Sequence, residues 1–454
     1  MSTHVKDMTS GTPWKQLLVF ALPLMIGNVF QQLYTVMDSV IVGQGIGVNA
    51  LAALGAADWF NWMVVGLATG FSQGFSIQIA QQFGARDYDH LKKTVAASYT
   101  LSLAMGVIFT VIMQLAARPG LVLLNTPENI IGDSLSYLRV SFSGFIVVMA
   151  YNMFASVLRA LGDSKTPLIA MVIAAAINIV LDIAFVMGLH MGVASAAAAT
   201  VIAQAFSAVY CFMAVRKIKL LKLSARDWRP NGRRMGKLMY LGAPMAFQNV
   251  IISIGGMALQ SVVNRFGLAF VAGFTATNKL YGVLEVAATS FGFSMTTFTG
   301  QNLGAKKIRR ISKGMRSSLL MAFITSEIIS VAMILFGRMI LRLFISGAES
   351  EIREVTDIAY HFLFVMCVPL FILYVLHVVR SAIQGMGDTI IPMISGCTEM
   401  VMRVSVAMIL PHFFGPESVF FAEVAAWIGA DVILITAYLV KMHRLLASST
   451  ESSG

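Results

Sequence analysis

Four side chains carry the chemistry this sequence offers: Asp38, Asn178, Asp182 and Thr200. All four fall inside long apolar stretches. A carboxylate there is costly unless it faces protein or water, and intramembrane acids are read as functional by default. Asn178 and Asp182 are spaced i,i+4 and share one helix face. Two carboxyls brought together in a low-dielectric pocket can hold and exchange a proton between them. Carboxylate, amide and hydroxyl oxygens equally suit Na⁺, a hard cation. The same groups could also lock a helix bundle as an internal hydrogen-bond cluster.

The elements that must position them are helices. Twelve apolar stretches can be drawn, at about 15–43, 50–80, 92–117, 133–157, 166–189, 192–215, 236–263, 269–299, 314–337, 355–379, 389–411 and 416–440. At 1.5 Å per residue, Asp38 sits about 8 Å below the outer end of the first span. By the same rise, Asp182 and Thr200 each sit about 12 Å from the outer ends of the fifth and sixth. Three helices thus carry acid, amide and hydroxyl groups at a similar depth. The small residues Ala194-Ser195-Ala196-Ala197-Ala198-Ala199 let the sixth span approach its neighbours closely. The first span also holds Pro23, which removes a helical hydrogen bond, and Asn28, Gln31, Gln32 and Tyr34 at membrane depth. That combination predicts a moving helix that handles an ion, with Pro23 as its hinge.

Composition fits a membrane protein. The 454 residues are 57% hydrophobic and 12% charged, with a mean hydropathy of +0.77, against roughly 25% charged in soluble domains. The first apolar run is too long for a signal-peptide core and is read as a retained span. The net charge of +11 lies in the connections. With the N-terminus inside, 25 Lys and Arg fall on inner segments and 5 on outer ones, nine of them between Arg216 and Lys237 in a basic linker. This places both termini in the cytoplasm and calls for a bilayer rather than a nucleic acid. Cys211, Cys367 and Cys397 fit neither a disulfide framework nor a metal site. No HExxH or GxSxG pattern supports an intramembrane enzyme. The 29 methionines suit either ordinary apolar filling or a surface that adapts to many ligands.

The two halves repeat. FALPLMIGNV at 20–29 lines up with LGAPMAFQNV at 241–250, and GARDYDHLKK at 84–93 with GAKKIRRISK at 304–313. Leu161-Gly162-Asp163 lines up with Met386-Gly387-Asp388, at offsets of 220 to 225. Six spans per half keep both repeats in the same orientation, so the pseudo-twofold axis runs along the membrane normal. The expected architecture is all-α: twelve transmembrane helices in two six-helix bundles, residues 1–228 with the start of the linker and 229–454. In the second half, Leu259, Arg403 and Ala407 stand opposite Asp38, Asn178 and Asp182. The acid cluster therefore belongs to the first half alone. Glu399 and Arg403, one turn apart, are expected to pair. Glu285 is expected to line a cavity and attract cationic ligands. Gly84 and Gly304 are expected to cap their helices.

Taken together, these features resemble the multidrug and toxic compound extrusion (MATE) family over essentially the whole chain. The resemblance rests on the two repeats and on Pro23 followed by Asp38-Ser39-x-x-x-Gly43 and Ala50-Leu51-Ala52-Ala53. It also rests on Gln82-x-Gly84-Ala85 with Asn302-x-Gly304-Ala305, and on Arg159-Ala160-x-Gly162-Asp163. The closest likeness is to the prokaryotic DinF-like branch. It implies a coupling cation, H⁺ or Na⁺, at Asp38, Asn178, Asp182 and Thr200, and bending of the first helix at Pro23. Gln31, Tyr34 and Asn152 then face the N-lobe cavity. The NorM-like and eukaryotic branches carry an acid on the seventh helix, whereas 235–263 here holds no Asp or Glu. The implied activity is alternating-access antiport exporting amphipathic, often cationic compounds, without a cofactor, as a monomer in a prokaryotic plasma membrane. The alternative is a flippase for an amphipathic lipid such as a lipid-linked sugar. It would need Arg139, Lys279 and Arg403 to make one cationic cavity.

Overall fold

The computed structural model describes residues 5–123, 126–342, 345 and 349–451. Helix α1 spans Pro13–Gly45, α2 Val48–Gly84, α3 Tyr88–Leu123, α4 Glu128–Ser143, α5 Phe145–Ala160, α6 Lys165–Asp182 and α7 Ala194–Lys217. After the linker come α8 Gly232–Val263, α9 Leu268–Gly304, α10 Ile308–Arg342, α11 Glu349–Cys367, α12 Leu370–Gly385, α13 Ile390–Ile409, the short α14 Pro411–Phe414 and α15 Phe421–Glu451. The described residues contain no strand. The twelve expected spans are all helical, and two are bent. α4 and α5 meet at 45° across Gly144, and α11 and α12 at 50° before Pro369.

Nine single helices and these two bent pairs are apolar enough to cross a membrane among the described residues. The remaining span, α9, is more polar because protein rather than lipid surrounds much of it. Two of its buried hydroxyls are satisfied by neighbouring helices: Thr277 Oγ1 donates to Ala359 O at 2.8 Å, and Ser294 Oγ to Leu17 O at 3.0 Å. α3 and α10 occupy equivalent places in the two halves and show the opposite pattern. Leu103, Val107, Val111 and Leu115 on α3, and Leu320, Ile324, Ile328 and Leu335 on α10, are exposed along one face. Apolar rows of that length suit lipid contact.

The repeat persists in the turns. Gly162 and Gly387 adopt φ +82° and +86°, a region that favours glycine. The aspartate after each accepts hydrogen bonds from the first amides of the next helix. Asp163 Oδ1 takes Lys165 N and Thr166 N at 3.1 and 3.0 Å, and Asp388 Oδ1 takes Ile390 N and Ile391 N at 3.2 Å. The Gly-Asp motif is thus turn and cap chemistry. Gly84 and Gly304 end α2 and α9, but the left-handed residues that turn the chain are Arg86 and Lys306, both at φ 58°. In the loop before α3, a hydrogen bond from His90 holds the Asp87 carboxyl below the usual carboxylate range. The Ser224 amide does the same for Asp227 in the linker.

Packing divides the chain into two compact units. One comprises Leu22–Phe247 with the residues up to Met8; the other comprises Gln248 onward with Thr9–Ala21. The division falls inside α1 and α8, just beside Pro23 and Pro244, instead of at the expected 228/229 boundary. Hydrogen bonds explain the first shift. Lys307 Nζ donates to Thr9 O at 2.8 Å, and Arg310 donates to Ser10 O, Gly11 O and Gln16 Oε1 at 2.6 to 2.8 Å. Glycine packing explains the second. A Cβ on Gly74 would stand 2.4 Å from Gly242 Cα, and one on Gly70 2.5 Å from Ala246 Cα. The backbones of α2 and α8 touch there, as small residues permit. Gly74→Ala is expected to cost about 1–3 kcal/mol by overpacking. Gly55→Ala on the same helix, where nothing lies within 4 Å, is expected to leave stability unchanged. Unfolding midpoints in detergent test the pair, and equal midpoints for the two variants would refute the close contact.

Candidate functional site

The four predicted side chains come together in the first unit, from α1, α6 and α7. Thr200 Oγ1 lies 3.4 Å from Asp38 Oδ2, and Asn178 Nδ2 donates to Thr200 Oγ1 at 3.3 Å. Asp38 and Asp182 face each other within hydrogen-bonding reach. Asp182 is 0% exposed and Asn178 1%. Neither oxygen of Asp182 meets a protein donor at hydrogen-bond geometry, and neither do Asp38 Oδ1 and Asn178 Oδ1. Two facing carboxylates are acceptors only, so they bond to each other only through a proton or a cation between them. Buried oxygens without donors call for one or the other. Among the described residues, no group of three or more His, Cys, Asp or Glu makes a conventional metal site.

Local structure sets this geometry. Asp182 ends α6, and a π-helical segment, Ile183–Gly188, follows at once. Such segments are rare and concentrate at functional sites. Nothing in the residue pattern marks it beyond the span's length. An apolar cluster of Ile41, Val42, Ala50, Leu54, Val186, Val193 and Ala196 packs beside the acids and includes part of that segment. Gly45 allows its fit, since a Cβ there would stand 2.6 Å from Val186 Cγ1.

A pocket adjoins the cluster within the same unit. Gln31 and Tyr34 of α1, Tyr151 of α5, Met171 of α6 and Gln204 of α7 line it, and so do Asn178 and Thr200. The wall between the pocket and the acids is therefore made of the cluster's own amide and hydroxyl. Sequence reasoning missed Tyr151 and Gln204, whose helix phase becomes legible only once α5 and α7 are docked. Asn152 does not line this pocket. It ties α2 to α5, accepting from Thr69 Oγ1 at 3.3 Å and donating to Val148 O at 2.9 Å. α1 continues as helix through Pro23.

The second unit corrects one expectation. Glu399 and Arg403 do not pair with each other. Glu399 bonds Arg380 of α12, and Arg403 Nη2 bonds Glu423 Oε2 of α15 at 2.9 Å. Each buried charge finds a better-aligned partner on a neighbouring helix than along its own. Arg380 is a buried residue of α12. Glu285 pairs with His377 Nε2 at 3.2 Å.

The MatE family profile matches residues 23–184 and 244–409, one stretch in each half. The chain belongs to this family; it is a MATE family transporter. It is similar to the probable multidrug resistance protein YpnP of Bacillus subtilis, 32% identical over 344 residues, 76% of this chain and 77% of that protein. YoeA of the same organism, also named a probable multidrug resistance protein, is 25% identical over 94% of this chain and 92% of its own. A solved structure of a MOP superfamily transporter from Pyrococcus furiosus superposes with a TM-score of 0.90 at 25% identity, covering 98% of both chains.

Proposed function

We propose that this chain is a cation-coupled antiporter of the DinF-like branch that exports amphipathic, often cationic organic compounds by alternating access. The observation that carries the reading is the shared wall: Asn178 and Thr200 contact the acid cluster and line the adjoining pocket. A cation at Asp38 and Asp182 reorders the very groups that a substrate in the pocket would touch. Two ligands that bias one another through common groups are coupled, and the coupling is reciprocal. α1 carries Asp38, Gln31 and Tyr34 beyond Pro23, so neutralising the acids changes what that helix needs from its surroundings. The names of the relatives support a multidrug range, and the apolar helices support residence in a bilayer.

The reading makes the protein a multi-pass transporter of a prokaryotic plasma membrane with both termini cytoplasmic, working as a monomer without cofactor or nucleic acid. H⁺ and Na⁺ remain the two candidate coupling ions. Asn152 and Glu285 are assigned to the substrate path as polar groups outside the first-unit pocket. The flippase alternative draws no support from Arg403, which Glu423 neutralises. Vesicles loaded with ethidium under an imposed pH gradient or an imposed Na⁺ gradient test the proposal. Efflux is expected to follow one of the two, and efflux indifferent to both would sink it.

A further inference from the structure

The repeat lets the cation cluster be compared with its counterpart group by group. Aligning Asp163 with Asp388, both of which cap the following helix, puts Arg403 opposite Asn178. The partner of Thr200 follows from a second landmark. Ser195 Oγ donates to Gly192 O at 2.8 Å and Ser418 Oγ to Gly415 O at 2.7 Å, the same local turn at an offset of 223. That offset puts Glu423 opposite Thr200. The Asn178–Thr200 hydrogen bond of the first unit thus becomes the Arg403–Glu423 ion pair of the second. Opposite Asp38 and Asp182 stand Leu259 and Ala407, 2% and 0% exposed. The second unit has lost both acids, and a buried guanidinium lies where the first unit gathers its oxygens.

We propose that Arg403 is a tethered cation, held where the first unit binds an exchangeable one, and that Glu423 is a latent coupling carboxylate that Arg403 keeps occupied. The inference rests on reading Asp38 and Asp182 as the coupling site. Arg403 suits the role because its charge is permanent and its planar fork can serve several acceptors at once. It reaches Glu423 Oε2 at 2.9 Å and the Ile252 carbonyl of α8 at 3.5 Å, so it bridges three helices. α8 is the counterpart of α1, the helix that carries Asp38. In one unit the link between these elements can be loaded and emptied, and in the other it is fixed. Coupling is then confined to the first unit, one site per cycle.

Removing Arg403 releases Glu423 and no other acid, because Glu399 keeps Arg380. The titratable and charged groups facing the pair are Glu399 on its own helix and Tyr281 and Glu285 on α9; behind them, Arg380 and His377 of α12 pair with Glu399 and Glu285, and Asp431 of α15 lies near Arg380 and Glu399. α8 presents a carbonyl and no acid. Without its counter-ion, Glu423, whose side chain is 12% exposed, is expected to take up a proton or a cation.

The test is infrared difference spectroscopy of the full chain in lipid, recorded between two pH values, reading the protonated-carboxyl band. Asp38→Asn/Arg403→Ala is expected to gain one titrating carboxyl relative to Asp38→Asn, and Glu423→Gln is expected to remove it. Arg403→Lys retains the tethered charge and is expected to show no gain. The absence of a new band, a band that survives Glu423→Gln, or a band in Arg403→Lys would overturn the proposal. Arg403→Gln serves if the alanine variant does not fold. Failure of both, with Arg403→Gln/Glu423→Gln folded, would also overturn it, since Glu423 then cannot accept a proton. An undiminished carboxyl signal in Asp38→Asn would instead count against the first-unit coupling site, and the Arg403→Ala comparison with wild type would still decide the role of Arg403.

Discussion

Asp38→Asn is expected to abolish gradient-driven export of ethidium from vesicles while leaving the protein folded and inserted. Asparagine matches aspartate in shape, so packing around α1 is retained. Its amide can donate to Asp182, which meets no protein donor in the native chain. The substitution thereby satisfies permanently what a proton or cation satisfies in turn. A site that cannot be emptied cannot transmit a gradient. The free energy that links two ligands is about 1–3 kcal/mol in typical allosteric systems, so the variant is expected to lose a roughly 5–150-fold dependence of ethidium affinity on the coupling ion. Thr200→Ala removes one contact to Asp38 and spares both acids, so its deficit should be smaller. Initial rates measured under the effective gradient, with ethidium binding to the purified variant as a folding control, decide the matter. A wild-type rate in Asp38→Asn would remove the acid pair from the mechanism.

The second large effect concerns stability. Arg380 is expected to be the most damaging single truncation in the second unit. Its guanidinium is paired with Glu399 and donates to Ser395 Oγ at 3.3 Å. The Gln248 amide, with its oxygen turned towards Arg380, accepts from Nε at 3.0 Å and Nη1 at 3.3 Å. The side chains of Arg380 and Glu399 are 8% and 6% exposed. Arg380→Ala strands a buried carboxylate and should cost about 3–5 kcal/mol. Replacing both partners by apolar residues of similar size, Arg380→Met with Glu399→Leu, should cost far less, because no charge is left behind. A double-mutant cycle on unfolding midpoints measures the difference. Additive losses would show that the two charges do not support one another.

What the sequence made legible, and what it hid, divides along physical lines. Depth and helix phase are local quantities, so Asp38, Asn178, Asp182 and Thr200 could be gathered from span boundaries and 3.6-residue periodicity alone. The Gly162-Asp163 and Gly387-Asp388 turns were visible as repeats because their chemistry is confined to a few adjacent residues. Partnership across helices is not local. Glu399 and Arg403 have the right spacing to meet along α13, yet each is claimed by a charge on another helix, which spacing cannot reveal. The polarity of α9 is a property of its neighbours, and the need for glycine at 144 comes from Val201 on another helix, whose Cγ2 would lie 2.3 Å from a Cβ at that position. The π-helical segment after Asp182 has no compositional mark at all.

The seating of α1 and α8 bears on how such a chain arose. Thr9–Ala21, which include the start of α1, pack in the unit built mainly from the second half, and the start of α8 packs in the unit built mainly from the first. A half-length ancestor with this packing could not have buried the start of its own first helix. It would have been an obligate dimer in which two copies exchanged their leading segments, each completing the other's bundle. Fusion through a basic linker would make such an exchange permanent and would free the two copies to diverge. Once they were no longer identical, one could keep its acids and the other could lose them.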